Sequence, residues 1–163
     1  MKKPLNLSNA LILLTITSLV ILLDFLSKQW IIKNFSLYET KQFTSVINFF
    51  YTRNYGIAFS LLSDINKYSK YVLYFINIIT IFIISKILLF IPQNKIYYNF
   101  PYALIIGGAI GNIIDRLRFG FVIDFIDIHI KNWYFGTFNI ADISIFLGSI
   151  IILHILFFIK EKI

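Results

Sequence analysis

Two aspartates stand out because nothing near them in the chain offsets their charge. Asp124 lies in Gly120-Phe121-Val122-Ile123-Asp124-Phe125-Ile126 and Asp142 in Phe138-Asn139-Ile140-Ala141-Asp142-Ile143, both apolar stretches with no base within four residues. A carboxylate at the centre of a bilayer costs about 2.5–3.5 kcal/mol on insertion scales, and acids kept in such surroundings are candidates for chemistry. Two carboxyls brought within about 3 Å cannot both ionise and must share a proton, so identical residues become one acid and one base. The ionised partner can take a proton from water as it attacks a carbonyl, and the protonated one can donate to the carbonyl oxygen and later help the leaving amine. That is aspartic-type peptide hydrolysis. On spacing alone the other reading stays open, in which each aspartate separately binds a lysine or arginine at the end of a membrane span.

The remaining polar residues suggest support rather than catalysis. Asp24 precedes Lys28 by one helical turn, the spacing of an i,i+4 ion pair. Asp115 is followed by Arg116 and Arg118, the pattern of an interfacial charge cluster. A Ser27–Lys28 dyad is disfavoured because adjacent helical side chains point about 100° apart. His129 and His154 form no metal motif, and His154 reads as a buried histidine within a span. The absence of cysteine excludes disulfides, thiol nucleophiles and thiolate metal sites. No metal or organic cofactor is expected.

The elements that must position these groups are membrane helices. The 163-residue chain is 58% hydrophobic and 14% charged, with a mean hydropathy of +0.79, against roughly 45–50% apolar residues in soluble domains. Uncharged or nearly uncharged stretches predict four transmembrane helices, at about 7–26, 71–91, 96–114 and 140–159, within one membrane-embedded domain covering 1–163. Asp24, Lys28 and Trp30 stand where a signal sequence would carry small residues for cleavage, so the first span reads as an uncleaved anchor. Between spans one and two, Thr44 to Thr52 is rich in β-branched and aromatic residues and predicts a small extramembrane β element, closed as a hairpin by a turn at Asn54-Tyr55-Gly56. The connection from Asp115 to Phe138 carries Trp133-Tyr134-Phe135, suited to the headgroup level. Lysines are denser at the termini and in the short loop between spans two and three, which favours cytoplasmic termini and places both long connections outside. The net charge of +7 is scattered, so anionic lipid headgroups fit it better than nucleic acid.

Five blocks together resemble the lipoprotein signal peptidase family, also called signal peptidase II, over nearly the whole chain. They are Asp24-Phe25-Leu26-Ser27-Lys28, Arg53-Asn54-Tyr55-Gly56-Ile57-Ala58-Phe59, Gly107-Gly108-Ala109-Ile110-Gly111-Asn112-Ile113-Ile114-Asp115-Arg116, Val122-Ile123-Asp124-Phe125 and Phe138-Asn139-Ile140-Ala141-Asp142. Any one would be weak, including Gly107 to Gly111 with its G-x-x-x-G, common wherever membrane helices pack. Five in order are specific. The resemblance implies that Asp124 and Asp142 are the catalytic aspartates and that Asp24, Lys28, Asn54, Asn112, Asp115, Arg116 and Asn139 bind substrate or support the site. Asn112 and Asn139 would hold the carboxyls or the substrate backbone, and Arg116 would orient a carbonyl or lipid oxygen unless it pairs with Asp115 or Asp124. Two departures from the family pattern are Ile57, bulkier than the usual alanine, and the loss near Gly136 of a common proline.

The implied function is removal of the signal peptide from prolipoproteins whose cysteine already carries diacylglycerol, with membrane lipids as surroundings and no obligatory protein partner. The competing reading is a small proton-coupled transporter or helper subunit with aspartates relaying protons. It calls for acids near the midplane of several spans, whereas the two key acids fall at span ends on one side.

Overall fold

The computed structural model describes residues 7–56, 75, 78–84, 86, 96–131 and 133–158. Helix α1 (Leu7–Asn34) is followed by strands β1 (Thr40–Gln42) and β2 (Ile47–Asn54). Helix α2 (Ile96–Phe119), strands β3 (Val122–Ile130) and β4 (Trp133–Phe138) and helix α3 (Ile140–Phe158) complete the described order. The chain is mainly helical with a small antiparallel sheet, as seen in the described residues. Among the described residues, α1 and α3 are long and apolar enough to cross a membrane. The span predicted at 71–91 falls largely outside the described residues, although residues 78–84 are helical.

The β element is larger than the sequence suggested. Its order is β1-β2-β3-β4 with every pair antiparallel, so half of it comes from the connection after α2 rather than from the segment after α1. The segment that a hairpin turn at Asn54-Tyr55-Gly56 would lead into lies outside the described residues. The β1–β2 hairpin closes at residues 43–46, where the amides of Phe43 and Thr44 both donate to the Ile47 carbonyl and Thr44 Oγ1 accepts from Ile47 N at 3.0 Å. Asn54 instead ends β2 opposite Val122, and Thr52 faces Asp124. The competing signal was long-range pairing, which sequence-local turn chemistry does not report.

Helix ends explain how the chain turns from membrane to sheet. At the end of α2, Gly120 adopts φ +80° and its N–H reaches the Arg116 carbonyl at 3.0 Å, a left-handed cap that glycine takes without a Cβ penalty. The sheet is seated on the end of α1 by a cluster of Ile31, Phe35, Tyr51, Ile123 and Phe125. Each such side chain contributes about 1.5–3 kcal/mol when taken out of water. Trp30, Phe35 and Phe49 add edge-to-face contacts at 5.6–6.2 Å.

Helix packing relies on small residues, as expected where no apolar driving force distinguishes helix from lipid. A Cβ on Gly108 would meet the Ala141 carbonyl, and one on Gly111 would lie 2.7 Å from Asp24 Oδ2. The two glycines let α2 press against the start of α3 and against the one buried acid of α1. Hence the G-x-x-x-G run belongs to the site as well as to the packing.

Candidate active site

The site is built where the C-terminal part of α1, the last turns of α2, the near end of the sheet and the first turn of α3 converge. Helix α3 begins with a reciprocal cap. Asn139 Oδ1 accepts the Asp142 N–H at 2.9 Å, and Asp142 Oδ2 accepts the Asn139 N–H at 3.3 Å. This is a capping box with Asn and Asp in place of the commoner Ser/Thr and Glu. A further donor of that first turn, Ala141 N, is taken by Asp24 Oδ1 at 2.9 Å. The Asn-x-x-Asp spacing is visible in the sequence, and its capping chemistry alone is enough to fix both side chains at the start of the helix.

Asn139 then links the two aspartates. Its Nδ2 donates to Asp124 Oδ1 at 2.7 Å, and further to Ile123 O and Asn112 Oδ1 at 3.3 and 3.2 Å. Asp124 Oδ2 accepts from Asn54 Nδ2 at 2.9 Å, while Asp142 Oδ1 accepts from Asn112 Nδ2 at 2.9 Å. Each carboxyl is therefore held by two N–H donors in fixed directions. Asn139 and Asp124 are 0% and 2% exposed. Burial pushes the Asp124 carboxyl up to about 7, with the negative charge of Asp142 adding to the effect and the hydrogen bonds from Asn54 and Asn139, then Lys28, opposing it.

Beneath the aspartates lies a buried charge network. Lys28 Nζ has three acceptors for its three protons: Asp24 Oδ2 at 2.7 Å, Asp115 Oδ2 at 2.9 Å and Asn112 Oδ1 at 3.2 Å. Asp115 Oδ2 also accepts the Ile123 N–H at 3.1 Å, which anchors β3 one residue before Asp124. The Asp24–Lys28 ion pair has the spacing read from the sequence and is wholly buried, with both side chains 1% exposed. Asp115 pairs with Lys28 across the helices rather than joining an interfacial cluster with Arg116 and Arg118. Such a contact has no sequence-local signature.

Arg116 departs from the pairing considered for it. Its guanidinium donates to the Gly56 carbonyl at 3.2 Å and the Asn112 carbonyl at 3.4 Å. Asn54 Oδ1 accepts the Gly56 N–H at 2.9 Å, so Asn54 and Arg116 together fix the chain as it leaves β2. Ile57 lies outside the described residues. Gly136, at the lost proline, has φ +88° within β4, where the register with β3 shifts between Asp127 and His129, so the position demands glycine for a bulge. Among the described residues, no three His, Cys, Asp or Glu side chains are grouped to hold a metal ion.

Two carboxyls held by one residue, Asn139, through its side-chain amide to Asp124 and its backbone N–H to Asp142, backed by an ion-paired lysine and carried on apolar helices, make an arrangement suited to a membrane hydrolase that uses paired carboxyls. Comparison with known proteins narrows this class. Residues 16–158 match the family described as signal peptidase (SPase) II. A protein of Buchnera aphidicola subsp. Baizongia pistaciae (strain Bp), named lipoprotein signal peptidase, is 49% identical over 99% of this chain and 100% of its own length. A protein of the same name from Shewanella halifaxensis (strain HAW-EB4) is 44% identical over 83% of this chain and 79% of its own. A solved structure, a bacterial membrane enzyme determined by the in meso method at 1.9 Å resolution, superposes with a TM-score of 0.84 at 27% identity, covering 97% of this chain and 98% of that one. The chain belongs to the signal peptidase II family and is a membrane peptidase. Membership of a peptidase family sets aside the transporter reading.

Proposed function

We propose that Asp124 and Asp142 are the catalytic pair of an aspartic endopeptidase that removes the signal peptide from prolipoproteins, cutting before a cysteine that carries diacylglycerol. The observation that supports this reading is that Asn139 donates to both carboxyls, from its side chain to Asp124 and from its backbone to Asp142. Asp124, whose carboxyl stays protonated to about pH 7, is the acid that polarises the scissile carbonyl. Asp142, at a helix N-terminus that favours negative charge, is the base that takes a proton from the attacking water. When the tetrahedral intermediate collapses, the C–N bond breaks and the proton gathered by Asp142 passes to the leaving amine, which restores the singly protonated pair.

Asn54, Asn112 and Asn139 position the carboxyls or the substrate backbone, Arg116 holds the chain at Gly56, and Asp24, Lys28 and Asp115 are the charged base on which the helices register. The proposed topology has four spans, at about 7–26, 71–91, 96–114 and 140–159, in the inner membrane of a bacterium. Both termini are cytoplasmic and the pair lies near the outer face. Lysine density supports that orientation. The helix at 96–119 carries Asn99, Pro101 and Asn112, which lower its hydropathy, but its polar groups face neighbouring elements rather than lipid. The acyl chains of the substrate remain in the bilayer, so hydrophobic anchoring supplies much of the positioning.

The test is hydrolysis by purified protein in detergent, without a transmembrane gradient. Mass spectrometry of the products of a diacylglyceryl-modified prolipoprotein peptide should give a single cut immediately before the modified cysteine, and the unmodified peptide should be cut far more slowly. Equal cleavage of both peptides would remove the lipid from substrate recognition.

A further inference from the structure

On the flank of α1 and α2 away from the aspartate pair runs an apolar groove. Ser18, Ile21, Leu22 and Phe25 line it from α1, at i, i+3, i+4 and i+7, and Ile114 lines it from α2. At about 1.5 Å per residue, Ser18 to Phe25 spans roughly 10 Å along the helix, within the depth of one leaflet of a core about 30 Å thick. Ile114 is two residues from Asn112 and so about 160° away around the helix, which separates the groove from the catalytic side.

The mouth of this groove carries a charge. Arg118 lies one turn beyond Ile114 on the same stripe, and its guanidinium sits over the Phe25 ring at 5.1 Å and the Phe119 ring at 4.8 Å. The side chain is exposed, and among the described residues no salt bridge takes it up. The nearby acids are committed elsewhere: Asp24 to Lys28 and the Ala141 N–H, Asp115 to Lys28 and the Ile123 N–H. An exposed cation above an acyl-sized apolar groove complements a molecule with a negative headgroup and a hydrocarbon tail.

We infer that this flank binds an anionic phospholipid of the surrounding bilayer, its acyl chain against Ser18, Ile21, Leu22 and Ile114 and its phosphate on Arg118. The phosphate accepts from the guanidinium fork, a geometry lysine does not reproduce. The bound lipid staples α1 to α2 at the level of the Lys28 network without touching the reacting groups. This site is independent of the substrate proposed above, and its test does not read cleavage.

Native mass spectrometry of the full-length protein, released from nanodiscs of equal parts phosphatidylglycerol and phosphatidylcholine, should retain phosphatidylglycerol in preference by about fivefold, the scale of one arginine near an anionic headgroup. The exposed-site variants R118Q and L22W should each bring retention of phosphatidylglycerol down to that of phosphatidylcholine. In the wild-type protein alone, phosphatidylglycerol should raise the midpoint of thermal unfolding, whereas glycerol phosphate and uncharged diacylglycerol should not. Equal retention of the two phospholipids by the wild type, or undiminished preference in R118Q, would overturn the proposal. An equal thermal effect from diacylglycerol would also overturn it, because the groove would then hold acyl chains without regard to charge.

Discussion

Asn139 donates its side-chain N–H to Asp124 Oδ1 at 2.7 Å while capping the helix that carries Asp142. One residue therefore sets the position of both carboxyls, and its two roles can be separated by mutation. Asn139→Ala should cost about 2 kcal/mol of stability, from the lost cap and the buried partners left unsatisfied. It should also lower cleavage by about 10²-fold, the scale of removing one positioned donor. Asn139→Ser caps a helix about as well as asparagine does and should recover much of the capping stability, yet its shorter side chain lacks the amide that reaches Asp124 and should not recover cleavage. Thermal unfolding and initial rates, read side by side, check the split.

Lys28 neutralises two buried acids, and removing it leaves both without their ion-pair partner among the described residues. Lys28→Met should destabilise the protein by about 3–5 kcal/mol, the cost of breaking a buried pair from one side. Replacing all three, with Asp24→Asn and Asp115→Asn added, should return part of that loss, because no uncompensated charge then remains. A triple variant no more stable than the single one, in thermal unfolding, would contradict the network as drawn.

The close approach of α1 and α2 predicts an asymmetry between two glycines. Gly111→Ala places a methyl 2.7 Å from Asp24 Oδ2, so the helices must part, at a cost of about 1–3 kcal/mol and with displacement of the Ala141 and Lys28 hydrogen bonds. Gly120 has open space around its Cβ position, and Gly120→Ala should cost only the strain of its positive φ, about 1–2 kcal/mol. Activity should fall in the first variant and persist in the second.

The pH dependence follows from Asp124. Its carboxyl is held at about 7 in the folded protein against an ordinary 3.8, so the stability associated with its protonated form is complete below about pH 4 and is lost as pH rises through about 7. The singly protonated pair should likewise lose activity above about pH 7. Because the charge on Asp142 contributes to the elevation, Asp142→Asn should bring the Asp124 titration, followed by the infrared carboxyl band, below that of the wild type.

What the amino-acid sequence reveals by itself depends on the range of each interaction. The acids at 24, 115, 124 and 142 are conspicuous because charge in an apolar chain is costly wherever it lies. The helix periods and the β-branched run of β2 are local and legible. The four-stranded sheet is not, because β3 is paired through residues about seventy to eighty positions earlier, and its run Val122 to Ile130 contains two aspartates and a histidine that blur a strand pattern. For the same reason Asp115 reads as a companion of Arg116, one residue away, when its partner is Lys28 on another helix. The cap at Asn139 is the instructive omission, since its four-residue spacing requires no tertiary knowledge.

Catalysis by this site requires above all that the two carboxyls act as one unit. The direct measurement is the cleavage rate of a lipid-modified peptide by purified Asp124→Asn, Asp142→Asn and the double variant, each shown by thermal unfolding to be folded in detergent. Each single substitution should lower the rate by at least about 10³-fold, and the double should be no slower than either, as holds for groups that work together. Cleavage near the wild-type rate by either single variant would contradict the shared-proton mechanism outright.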